Sequence, residues 1–194
     1  SSFQTEAELR AAFTERIDLK RQNIEAIEAG IASQRASLAR LLVEAGITKY
    51  NLSGEPPDLP PGRRILVPGQ VEDDASIRLG AGRERSNLAL LERTRAENPN
   101  AVLVYKPHPD VEAGLRPGLV PEAELRRLAD VVARNSAADA LMGQVDEVWT
   151  MTSTLGFEAL LRGLPVTTLG APFYAGWGLT RDLGPVPARR QVRA

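Results

Sequence analysis

EVWTMTSTLGFEALLRGLPVTTL, residues Glu147–Leu169, holds two short apolar runs on either side of a helical segment. EVWTM and PVTTL read as strands, and STLGFEALLRG reads as a helix that starts at a serine and closes on Gly163. Strand, helix and strand joined by such short links form a crossover unit, in which the two strands lie parallel.

The same alternation extends back along the chain. RRILV (Arg63–Val67) is a short apolar strand, Ser86–Glu97 a helix with a serine start, and AVLVY (Ala101–Tyr105) a second strand. Pro121–Arg134 reads as a helix opened by proline, and Ala137–Met142 as a shorter one. Residues 63–194 are therefore expected to form an α/β domain, a Rossmann-like doubly wound parallel sheet with helices on both faces. Upstream, Leu9, Phe13, Ile17, Ile24, Ile27, Ile31, Leu38 and Leu42 recur at helical spacing, which predicts two or three helices within a segment 1–50. Residues 51–62, rich in proline and glycine, are the expected junction.

Composition removes several functions. Of 194 residues, 43% are hydrophobic and 25% charged, and the formal net charge is −1, so nothing in the balance suits a nucleic-acid partner. With no cysteine and one histidine, disulfides, thiolate chemistry and a transition-metal cluster are not expected; the reading assigns no metal and no cofactor. No apolar run approaches the ~20 residues that span a bilayer, and SSFQTEAELR lacks the features of a signal peptide. A cytoplasmic protein, at most peripheral at the inner face of the membrane, is the expectation.

Ligands of open parallel sheets bind beyond the carboxyl ends of the strands. There this sequence places PGQVEDDAS (Pro68–Ser76), KPHPD (Lys106–Asp110) and TSTLGFE (Thr152–Glu158). Ser153 and Thr154 start a helix, where free N–H groups and the helix dipole suit a phosphate, although most such caps bind nothing. Glu158, one turn on, is placed to accept ribose hydroxyls or to lie solvated on the helix. His108 sits between Pro107 and Pro109, which restrict the backbone on both sides. Beside an anion it is expected to gain a proton and to act as a charged donor or general acid; its alternative is a loop-bonding structural role. Lys106 adds charge or covers apolar surface with its stem. The triplet Glu72, Asp73 and Asp74 fits a solvated loop, a cation site or a glycosyl-accepting nucleophile, and spacing alone does not choose among them.

The strings VPGQVEDDASI, VYKPHPDV and TSTLGFEALLRGLPVTTLGAPFYAGWGLT, in this order, resemble bacterial capsule polysaccharide β-Kdo glycosyltransferases, over about Thr48–Thr180. The resemblance implies the C-terminal, donor-binding half of a GT-B-like enzyme that uses CMP-Kdo with retention of the β configuration and a lipid-linked saccharide acceptor. It implies a Gln-x-x-x-Asp-x-Ser pattern met by Gln70, Asp74 and Ser76, with Asp74 as nucleophile. His108, Ser153 and Thr154 would hold the CMP phosphate, and Glu158 the ribose. Tyr174 and Trp177 of the PFYAGWG segment would close over the donor or pack inside. Family members are longer, which implies a missing acceptor-binding half, a fragment inactive by itself, and contact with capsule-export machinery. The competing readings are a non-catalytic CMP-binding or export-assembly module and another GT-B-like enzyme such as a nucleotide-sugar epimerase.

Overall fold

A computed structural model describes residues 5–49 and 54–189 of the chain. The outer ends of the expected segments and the first three residues of the junction lie outside them, as does the side chain of Leu9. The chain divides into two compact units, Ser1–Glu44 and Ala45–Ala194.

The first unit is built on one helix, α1 (Glu6–Glu44). This corrects the expectation of two or three helices. No proline interrupts it, its alanines, arginines, glutamates and leucines all favour helix, and one glycine, Gly30, is too weak a breaker to divide it.

In the second unit the elements follow as β1 (Arg64–Pro68), α2 (Ala75–Gly80), α3 (Asn87–Glu97), β2 (Val102–Lys106), α4 (Pro109–Glu112), α5 (Glu122–Leu128), β3 (Val131–Val132), α6 (Ala138–Met142), β4 (Glu147–Thr150), α7 (Thr154–Leu161), β5 (Val166–Thr168) and β6 (Arg181–Asp182). The six strands form one sheet of order β3-β2-β1-β4-β5-β6, every pair parallel. This is the expected doubly wound fold, and its order reverses between β1 and β4. β1 and β2 pair with Leu66 opposite Val104 and Pro68 opposite Lys106.

Both faces of the sheet are buried. Ile65, Val67, Leu103, Tyr105 and Trp149 point to one side, against Leu90, Leu91, Leu125 and Leu128 of α3 and α5. Leu66, Val104, Val148 and Val166 point to the other, against α6 and α7. Successive residues alternate between these two cores because side chains in a strand have a period of two, and neither side faces water.

Two strands depart from the sequence reading. The helix expected over Pro121–Arg134 ends at Leu128, and β3 follows it. Asp130 explains the break: its carboxylate accepts from Leu103 N (2.8 Å) and Arg95 Nη2 (2.6 Å), and its own N–H bonds Leu103 O (3.0 Å). Those bonds draw the chain into the sheet. β6, with two residues, is the second strand the sequence did not reveal.

Candidate functional site

The carboxyl ends of β1, β2 and β4 release three loops at the topological switch point. Gly69 starts the first. Its N–H donates to Lys106 O at 2.7 Å, and a Cβ there would lie 2.6 Å from the Tyr105 hydroxyl, so glycine lets the β1 and β2 loops pass in contact.

Gln70 follows and is buried. Its Nε2 donates to Thr152 Oγ1 (2.9 Å), and its Oε1 accepts from Thr152 N (3.0 Å) and Thr150 Oγ1 (3.2 Å). Both ends of the amide are thus committed to the β4 loop. Gln70 ties the first loop to the third.

The acid triplet is divided among different partners. Glu72 accepts from Asn87 N (2.7 Å), Asp73 pairs with Arg116 Nη2 (2.6 Å), and Asp74 caps α2 by accepting from Ser76 N (2.8 Å). Among the described residues no group of acids and histidine is arranged to hold a metal ion. The Asp74 carboxyl is held below its ordinary range, first by the hydrogen bonds from Ser76 and then by the Arg116 and Lys49 charges, against a small burial effect. It is an exposed, ionised carboxylate.

His108 stands at the N-cap of α4 with extended backbone, φ −70° and ψ 137°. Its Nδ1 accepts from Asp110 N at 3.2 Å, which places the ring proton of the neutral form on Nε2. Burial lowers its pKa, and the Lys49, Lys106 and Arg116 charges add to that, while Asp110 opposes it. Burial thus favours the neutral form of the imidazole in the unliganded chain. Lys106, 5% exposed, ends β2 with an Nζ that has no hydrogen-bond partner, and burial lowers its pKa too.

Ser153 caps α7, its Oγ accepting from Leu155 N (3.2 Å), and its carbonyl accepts from the Tyr174 hydroxyl (2.5 Å). Tyr174 is buried against α7, because Gly156 leaves the room its ring occupies; packing, not closure over a ligand, is its place here. Trp177 donates to Phe173 O (2.9 Å). Glu158 accepts from Lys49 N (2.9 Å); burial raises its pKa, partly offset by Lys49 and Arg162.

Two adjoining cavities result. A narrow slot of about 40 Å³ reaches Lys106, Leu155, Ala138 and Glu158. A wider, more polar cavity of about 360 Å³ reaches Gln70, Asp74, Ser76 and Arg116. Lys49, His108, Ser153 and Thr154 line both, so the wall between them is made of the groups best suited to an anion. Gln70, Asp74, Ser76, Lys106, His108, Ser153, Thr154 and Glu158 each line one cavity or the other, whereas Glu72, Asp73, Tyr174 and Trp177 line neither. Lys49, Arg116 and Thr152 were missed: two lie in turn-rich stretches without a motif, and Thr152 matters through its bonds to Gln70.

Comparisons with known proteins agree on one family. Residues 33–194 match the family described as capsule polysaccharide biosynthesis protein. The chain is 49% identical over 154 residues to the capsule polysaccharide modification protein LipA of Neisseria meningitidis serogroup B, covering 78% of this chain and 22% of that protein. It is 43% identical over 161 residues to the lipopolysaccharide-processing protein LpsZ of Rhizobium meliloti, covering 80% and 37%. Among solved structures, the Thermosulfurimonas dismutans KpsC β-Kdo 2,7 transferase superposes with a TM-score of 0.66 at 40% identity, over 82% of this chain and 49% of that one. The β-Kdo 2,4 transferase of the same organism gives 0.64 at 32%, over 82% and 51%. The chain thus spans well under half of these curated relatives and about half of each solved chain.

Proposed function

This chain belongs to the capsule polysaccharide biosynthesis protein family, and we propose that it is the donor-binding part of a retaining glycosyltransferase that moves Kdo from CMP-Kdo to a lipid-linked saccharide. The observation that carries the reading is the shared wall of the two cavities: an ionised Asp74 lies on one side of it, Lys106 and Glu158 on the other, and His108, Ser153, Thr154 and Lys49 between. CMP-Kdo has the same order of parts, with a sugar, a phosphate and a nucleoside.

In this mechanism the phosphate binds at the start of α7, where Ser153, Thr154 and the helix dipole meet it, and His108 takes up a proton to become a charged donor. The Asp74 carboxylate attacks the anomeric carbon as the bond from that carbon to the phosphate oxygen breaks, and CMP leaves with the electron pair. Hydrogen bonds from Ser76 and the neighbouring cations keep Asp74 ionised at neutral pH. An acceptor hydroxyl then attacks the same carbon, loses its proton and releases Asp74, and two inversions give net retention. Gln70 positions the loop rather than reacting, since both ends of its amide are engaged. Glu158 accepts from the ribose hydroxyls. No cofactor or metal enters the scheme.

In this proposal the acceptor is bound by a further half of a longer protein, so the segment alone binds donor without turning over. With a lipid-linked acceptor, the proposed reaction belongs at the inner face of the cytoplasmic membrane, beside export machinery. Among the described residues no helix is long and apolar enough to cross a bilayer.

Calorimetric titration of this chain with CMP, UMP and UDP tests the donor: CMP should bind and the uridine nucleotides should not. Preference for UDP would favour an epimerase-like enzyme. In the longer protein, Asp74→Asn should abolish transfer while CMP still binds, and undiminished transfer would make this a binding module or move the nucleophile elsewhere.

A further inference from the structure

Helix α1 carries a pattern that the transferase reading leaves unused. Ile17, Ile24, Ile31 and Leu38 recur every seven residues, and Phe13, Ile27 and Leu41 occupy the position three further on in the same heptads. These are the two core positions of a coiled coil. They form a narrow seam rather than the broad stripe of a helix laid on a globular core. Lys20 and Gln34 interrupt the second position, and the seam side chains are 41–67% exposed. Residues 6–32, which hold most of the seam, lie outside the region matched by the family.

We propose that α1 pairs with α1 of a second copy of this chain as an antiparallel two-stranded coiled coil. A helix in water draws most of its stability from packing such a face. Each buried Ile, Leu or Phe side chain removes roughly 60–120 Å² from water, so seven from each copy bury on the order of 1,300 Å². That lies within the ~1,200–2,000 Å² of stable protein interfaces.

Charge decides the direction. In a parallel, in-register pair Lys20 would face Lys20, and Arg16 would meet Arg21 of the other copy, both repulsive. Turned antiparallel about the point between Glu25 and Ala26, the helices overlap over residues 7–44, nearly the full length of α1. Ile24 then packs on Ile27 and Phe13 on Leu38, each twice by symmetry. Lys20 lies over Ile31 with its ammonium at the rim, and Arg21 stands beside Glu28, again twice. This register covers the apolar seam and pairs opposite charges.

The chain has no cysteine, which makes the test clean. Sedimentation equilibrium of the chain through the micromolar range should give a dimer, and Ile24→Lys with Ile31→Lys should give a monomer whose Rossmann-like unit melts unchanged. Phe13→Cys and Leu38→Cys, oxidised together, should form a cross-linked dimer, while either alone should not. A monomer throughout the concentration range overturns the proposal. So does a dimer that survives the double lysine variant, or efficient cross-linking of Phe13→Cys by itself, which marks a parallel pair.

Discussion

Asn87, fully buried at the first position of α3, closes a ring with the backbone of Gln70: Gln70 N donates to Asn87 Oδ1 and Asn87 Nδ2 donates to Gln70 O, both at 2.8 Å. The same Nδ2 also reaches Gly118 O at 2.8 Å. One side-chain amide therefore fixes the loop that carries Asp74, and Gln70 passes that constraint on to Thr152.

Replacing Asn87 with alanine leaves a buried N–H and two carbonyls without partners. We expect a loss of about 2–4 kcal/mol in urea denaturation. Asn87→Asp should fare no better, because it keeps an acceptor for Gln70 N but presents oxygen to two carbonyls. A loss below about 0.5 kcal/mol would show that the loop relaxes onto other donors.

Gly69→Ala drives a methyl toward the Tyr105 hydroxyl, 2.6 Å away, with the ring Cζ at 3.1 Å. It should destabilise the fold by about 1–3 kcal/mol. Adding Tyr105→Phe removes the nearest atom and should restore part of the loss. Additive effects of the two changes in thermal melts would count against this contact as the cause.

His108 has a pKa below its ordinary value of 6.5 in the folded chain, chiefly through burial. The unfolded chain then takes up the proton first as pH falls. Stability from this group is complete above the unfolded pKa and is lost as pH drops from there through the folded pKa. Melting temperature should therefore fall more steeply between about pH 7 and 5 for the native chain than for His108→Gln. Equal slopes would place the imidazole in a solvent-like setting.

Lys106 holds a buried ammonium without a partner. Lys106→Met keeps the stem's packing and removes the desolvated charge, so it should stabilise the unliganded chain by about 1–2 kcal/mol. CMP affinity should fall by about tenfold, the loss of one charge-assisted hydrogen bond. Unchanged CMP affinity would separate this residue from the donor.

The sequence by itself determined the sheet and the edge at which its polar loops gather. Continuous apolar strands such as ILV and VLV are buried on both faces whatever follows them, and the serine starts at Ser86 and Ser153 are local hydrogen bonds that the structure repeats. It also pointed to many of the polar residues around both cavities, though not to Lys49 or Arg116, since a strand's end fixes where its own loop emerges. Only the tertiary structure decided what those residues do. Glu72, Asp73 and Asp74 are indistinguishable as a triplet and are separated by Asn87, Arg116 and Ser76, two of which come from distant parts of the chain. The two-residue strands β3 and β6 leave no periodicity to read, and the placing of β3 rests on bonds such as that from Leu103 N–H to the Asp130 carboxylate. The charge state of His108 follows the same rule. Composition gives a histidine its ordinary pKa, but burial and the cations gathered around it belong to the folded chain.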